Sequence, residues 1–190
     1  MAIVLASQSP RRQELLQRIG VEDFKTLSLD IDESYPEGLS PEDTVRYIAK
    51  KKCDAAVALC SPDDLIITAD TMVFLGSDRL GKPRDEEDAF RMLRELAGSR
   101  HTVCTGVSLR RGAQYESFAV STGVTFRRAS DDEIRAYIKT GEPMDKAGAY
   151  GVQSRGALFV ERIDGDFFNV MGLPVEQLGL VLARFGVKLL

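Results

Sequence analysis

Between His101 and Arg127 the apolar residues recur at every second position, and this segment constrains the fold more than any other. TVCTGVSL and QYESFAVSTGVTF flank a turn at RRGA, the pattern of two long strands joined as an antiparallel hairpin. The rest of the chain is patterned differently. LIITAD (65–70) is a continuous apolar run of strand length closed by an acid and continued by MVFL (72–75), and segments with helical spacing lie on either side. Strands interleaved with helices indicate an α/β fold, and a hairpin within it excludes a purely parallel sheet. The expectation is a mixed sheet with flanking helices.

The remaining elements follow from caps and turn residues. AIVLA reads as a first short strand. ASQSPRRQEL then opens a helix, with Ser9 as N-cap, Pro10 at the first helical position and Gly20 as the stop. TLSLDID (26–32) predicts a strand, and SPED (40–43) starts a long helix running to about Ala58. GSDRLGKP (76–83) reads as a turn and an exposed loop, DEEDAFRMLRELAG as a helix with acids in its first turn, and SDDE (130–133) as a capping box. GEPMDKAGAYGVQSRG (141–156) is irregular. ALFVERI, Asp164-Gly165 and DFFNVMG predict a second hairpin, before a closing helix begins at Pro174. No repeat or linker divides the chain, so residues 1–190 are expected to form a single domain.

Composition removes several function classes. A net charge of −4 argues against a nucleic-acid or membrane-surface binder. No apolar run approaches the roughly 20 residues that cross a bilayer, and no secretory leader is legible, so a cytoplasmic location is expected. Three cysteines without a CxxC suggest reduced thiols. His101 is the single histidine, which excludes a histidine-rich metal site and leaves carboxylates, lysines and arginines as the main chemical candidates.

Neither GxxxxGK[ST] nor GxGxxG occurs, so the common phosphate loops are absent. A helix N-terminus with nearby cations is the other way to hold phosphate, and Arg11 and Arg12 occupy such a place. The helix dipole disfavours each cation there by roughly 0.3–1 kcal/mol. Either they are solvated or paired with acids, or an anion relieves the conflict. Asp70, after an apolar run, either caps a turn with Thr71 or holds a cation or water, and Glu33 could join it. Two carboxylates without histidine suit Mg²⁺ or Mn²⁺. Lys50, Lys51 and Lys52 span a helix and cannot all face one way. Lys82 follows Asp70 by a hairpin's length, and Lys146 sits in a glycine-bearing loop. Each is an ordinary surface lysine by itself, yet with the arginines they could surround a polyphosphate. Gln153 reads alone as a surface amide, although an amide can pair with N3–H and O4 of uracil or thymine.

ASQSPRRQELL, ITADTMV, GKPRDEEDAFRMLRELAGSRHTVCTGV, YIKTGEPMDKAGAYGVQ and DGDFFNVMGLP together resemble the Maf family of nucleoside triphosphate pyrophosphatases, once described as septum-formation inhibitors. The resemblance runs in order from about Ile3 to Leu178. It implies a bent mixed sheet like that of the inosine triphosphate pyrophosphatases, two lobes with a central nucleotide cleft, a divalent metal and a homodimer. It places the catalytic acid/base at Asp70 and substrate choice at Arg12, Thr71 and Gln153. DKAGAYGVQ resembles the loop of the dTTP/UTP branch, differing by Val152 for Ile, whereas the 7-methyl-GTP branch begins this loop with DCAGSF.

The resulting expectation is hydrolysis of dTTP and UTP, or modified pyrimidine triphosphates, to the monophosphate and pyrophosphate. Ser7, Ser9, Arg11, Arg12, Lys146, Thr71 and Gln153 are expected to bind the nucleotide. Lys52 and Lys82 would neutralise developing charge, while Glu33 and Asp70 would hold the metal and Asp70 orient the water. The alternatives are a 7-methyl-GTP pyrophosphatase and a nucleotide-binding regulator of cell division.

Overall fold

A computed structural model describes residues 2–190. In chain order the elements are β1 (Ile3–Leu5), α1 (Pro10–Arg18), β2 (Phe24–Thr26), α2 (Pro41–Val57), β3 (Leu65–Leu75), β4 (Asp78–Leu80), α3 (Glu86–Leu96), β5 (Arg100–Arg111), β6 (Gln114–Phe126), α4 (Asp131–Ile138), β7 (Val160–Asp164), α5 (Phe167–Met171) and α6 (Val175–Arg184). The strands are ordered β2-β1-β3-β5-β6-β7, with β4 on β3. β1 pairs parallel with β2 and β3, whereas β3–β4 and β6–β7 are antiparallel. The sheet is mixed, as the period-two segment requires.

The chain divides into two compact units. The first runs to Asp70 and adds Thr105–Val120 and Gly172–Leu190. Its core includes Leu5, Leu15, Leu16, Ile48, Leu65, Ile67, Leu109 and Phe185. Helix α2 lies so close to β5 that a Cβ on Gly106 would come within 2.4 Å of the Val45 carbonyl. The second unit is Thr71–Cys104 with Ser121–Met171. There α3 packs on α4, around buried Leu93, Leu96, Phe126, Ile134 and Phe159.

Four sequence expectations are corrected. The strand predicted over 26–32 is only Phe24–Thr26. Residues 76–83 are not all loop, because Asp78–Leu80 returns along β3. The second hairpin does not form: after β7 the Asp166 carboxylate accepts the Phe168 N–H at 2.7 Å and turns DFFNVM into the short helix α5. Asn169 is then buried, donating to the Val103 carbonyl and the Thr122 hydroxyl. Finally, Ser9 precedes α1 in extended conformation but its side chain makes no capping bond. The Ser9 N–H instead donates to Ser7 Oγ at 3.2 Å.

Other start signals act as read. Ser40 accepts from the Asp43 N–H, Asp85 from the Asp88 N–H, and Ser130 with Glu133 completes a reciprocal capping box. No helix among the described residues is long and apolar enough to cross a membrane.

Candidate active site

Asp70 does not end its strand; it lies within the 11-residue β3, after buried Ala69 and ahead of half-buried Thr71 and Met72 and buried Val73. A carboxylate in such a place needs a partner, since an isolated buried charge costs several kcal/mol. Lys52 supplies it from α2, with Nζ 2.8 Å from Asp70 Oδ1. The same ammonium is 2.9 Å from Glu33 Oε1. Two carboxylates thus converge on one cation, and the Lys52 and Asp70 side chains are only 14% and 9% exposed, which keeps their attraction from being screened.

Lys52 reaches inward because the three consecutive lysines diverge around the helix. Lys50 pairs with Asp54, and Lys51 with Asp32 and the Ser34 carbonyl. Asp32 also accepts from the Ser34 N–H at 2.9 Å. Lys51 thereby pins the loop that carries Glu33. The residue pattern placed Lys51 only within the lysine run and did not single out Asp32, because their pairing joins a helix to an irregular segment 19 positions away.

At the start of α1, Arg12 Nε donates to the Gly172 carbonyl at 2.8 Å and Nη1 to Ser7 Oγ at 3.3 Å. Burial pulls the Arg12 guanidinium below its ordinary pKa; the negative charges of Asp70 and Glu33 oppose that shift and Arg11 adds to it. The first turn of α1 contains no acid. The first unit therefore brings Ser7, Arg12, Glu33, Lys52 and Asp70 into one electrostatic group, with Ser9 and Arg11 on the same turn.

The second unit carries the other predicted residues. Thr71 follows Asp70 on β3 and is half-buried, Lys82 is exposed just after β4, and Gln153 is exposed. The Lys146 ammonium donates to the Glu142 carbonyl and to Asp145 Oδ1, both at 2.6 Å, so it is committed to its own loop.

No three-membered group of His, Cys, Asp and Glu suited to a metal occurs among the described residues. Asp70 and Glu33 nonetheless fit a hard divalent cation, since their oxygens already share one positive centre. Mg²⁺ is commonly held by one or two carboxylates and completed by substrate phosphates and water.

Comparison with known proteins identifies the family and the fold. The family model described as "Maf-like protein" matches residues 2–185. A dTTP/UTP pyrophosphatase of Bacillus velezensis is 46% identical over 98% of this chain and 97% of its own. One from Acetivibrio thermocellus is 47% identical over 99% and 97%. Among solved structures, the HAM1 protein from Coxiella burnetii aligns with a TM-score of 0.56 at 13% identity, covering 97% of this chain and 99% of that one. The Staphylococcus aureus Ham1 protein aligns at 0.52 and 15%, covering 97% and 100%. These two share the mixed α/β fold with its flanking helices.

Proposed function

The chain belongs to the Maf family, and from that premise we propose that it hydrolyses dTTP and UTP to the nucleoside monophosphate and pyrophosphate. The observation that carries this reading is the convergence of Asp70 and Glu33 on the Lys52 ammonium. In the reaction Asp70 accepts the proton of a water as that water attacks the α-phosphorus. Lys52, already bonded to Asp70, keeps the carboxylate oriented, and with Lys82 it offsets charge on the departing pyrophosphate. Arg11, Arg12 and the N–H groups at the start of α1 hold phosphate oxygens, with Ser7 and Ser9 as further donors. This also accounts for two cations in a turn that otherwise disfavours them.

Glu33 and Asp70 would hold Mg²⁺ or Mn²⁺, which when bound neutralises phosphate charge and polarises the α-phosphoryl group. Lys146 would reach the phosphate end only by exchanging its Asp145 bond for a phosphate oxygen, Thr71 and Arg12 contribute to substrate choice, and the Gln153 amide pairs with N3–H and O4 of the base. The relatives' substrates and the DKAGAYGVQ loop support the pyrimidine assignment. The protein is expected to act as a homodimer in the cytoplasm.

A panel of triphosphates assayed for pyrophosphate release with Mg²⁺ and Mn²⁺ tests the reading. dTTP and UTP should lead the panel. A preference for 7-methyl-GTP, or tight UTP binding without pyrophosphate release under any metal condition, would overturn it.

A further inference from the structure

Segment 141–159 has three 3-10 turns, Glu142–Asp145, Ala147–Ala149 and Arg155–Phe159, and no strand. Such a stretch should be loose, yet both flanks of Gln153 are tied to two side chains. On one flank the Gly151 N–H donates to the Tyr137 hydroxyl at 3.1 Å. On the other, Glu142 accepts from Ser154 Oγ at 2.6 Å, the Arg155 N–H at 3.2 Å and the Gly156 N–H at 3.3 Å. Tyr137 and Glu142 hold each other, the hydroxyl donating to Oε1 at 2.8 Å. Glu142 Oε1 thus receives three hydrogen bonds and Oε2 a fourth.

The glycines make this closure possible. A Cβ at Gly156 would lie 2.6 Å from the Gly151 carbonyl oxygen and 2.8 Å from the Tyr137 hydroxyl; one at Gly151 would meet Lys146 Cε at 2.8 Å. Val152 is buried, whereas Gln153 is exposed at the head of an exposed run that continues through Ser154 and Arg155. Burial pushes the Glu142 carboxyl up, but the bonds from Ser154, Tyr137, Gly156 and Arg155 outweigh it and leave it below the usual range. Burial, and then the bond to Glu142, push the Tyr137 hydroxyl up, keeping it a donor.

Rotating an amide by half a turn exchanges its donor and acceptor ends, and with them its preference for uracil or cytosine. An amide carried on a free loop would have to order its backbone as well as its own rotamer on meeting the base, at an added entropic cost. We propose that Tyr137 and Glu142 are positioning residues for base selection: together they clamp the backbone of 151–156 and so fix the point from which the Gln153 side chain reaches a pyrimidine ring, leaving the ring itself to select the amide rotamer. This rests on the reading of Gln153 as the residue that pairs with the base.

The test compares Tyr137→Phe and Ser154→Ala with wild type and Gln153→Ala, measuring kcat and KM separately for UTP and CTP. Tyr137→Phe keeps the edge contact of its ring with Phe159, 5.3 Å between centroids, and removes only the hydroxyl. The expected result is a KM for UTP raised about tenfold by Tyr137→Phe with kcat little changed, and a narrowed UTP-over-CTP preference. Ser154→Ala should move both in the same direction by less. If Gln153→Ala narrows the preference while Tyr137→Phe and Ser154→Ala lower only the thermal midpoint, or lower kcat equally for both nucleotides, the pair is scaffolding and the proposal falls. If Gln153→Ala leaves the preference intact, the reading of Gln153 falls and the proposal with it.

Discussion

Asp70 occupies a position that an apolar side chain would fill more cheaply. A buried ion pair is weak support for stability, since well-packed hydrophobic residues often replace one at no loss. The presence of Asp70, Lys52 and Glu33 together is better explained by chemistry than by folding. Asp70→Asn keeps the shape and an acceptor for Lys52 but is a far weaker base. It should reduce turnover by at least about a thousandfold while nucleotide affinity changes little; near-normal turnover would make Asp70 a structural residue. His101 presents the opposite case of a buried polar group tied to packing. It is 2% exposed, edge-on to Phe126 and Tyr150, and shares a 2.8 Å hydrogen bond with the Tyr150 hydroxyl through Nε2, while Nδ1 has no partner. Burial lowers its pKa from 6.5 to about 4. Below pH 6.5 the unfolded chain binds a proton that the native state refuses until pH 4, so stability is full above that window and falls through it, by about 3 kcal/mol in total. Urea midpoints at successive pH values should show this slope in wild type and a shallower one in His101→Gln. Of these residues, Asp70 was legible as an acid in an apolar run. Glu33 was weakly legible, and Lys51 and Asp32 were not, because their pairing depends on where a loop meets a helix.

At the scale of elements, caps and periodicity located most helices and the long β5–β6 hairpin. They failed where one side chain decided the backbone. DFFNVM has the alternation and turn residues of a strand, but the Asp166 carboxylate captures the Phe168 N–H, and burial of Asn169 completes a helical turn. TLSLDID loses its strand after Thr26, although Leu27 and Leu29 still pack against the cluster of Ala6, Cys53, Ala56 and Ile66. The contact between α2 and β5 was also illegible, since it is a glycine rather than a pattern. Gly106→Ala would drive a methyl group into the Val45 carbonyl and the Arg46 N–H. Because these are backbone atoms that cannot rotate away, the substitution should cost about 3 kcal/mol, at the upper end for overpacking. Chemical denaturation would show it, and an unchanged midpoint would mean that α2 does not press on β5 as described. Since Lys52 is on α2, activity should fall as well.

At the scale of the whole molecule, the mixed sheet is that of the family, and the family's reaction is the one this chain is proposed to catalyse. The hairpin period excluded a parallel sheet, the absence of phosphate-binding glycine loops turned attention to the start of α1, and the ordered motifs indicated the Maf family. The structure added the convergence of Asp70, Glu33 and Lys52, which joins separate elements, and the clamp around Gln153, whose hydrogen bonds span 5 to 14 positions within an irregular segment that has no period to read. The central claim is that water attacks the α-phosphorus of a pyrimidine triphosphate. Hydrolysis of UTP in ¹⁸O-enriched water, followed by mass spectrometry of the products, tests it most directly. Label should enter UMP and be absent from pyrophosphate; label in pyrophosphate, or in orthophosphate released beside UDP, would place the attack at another phosphorus and rule this reaction out.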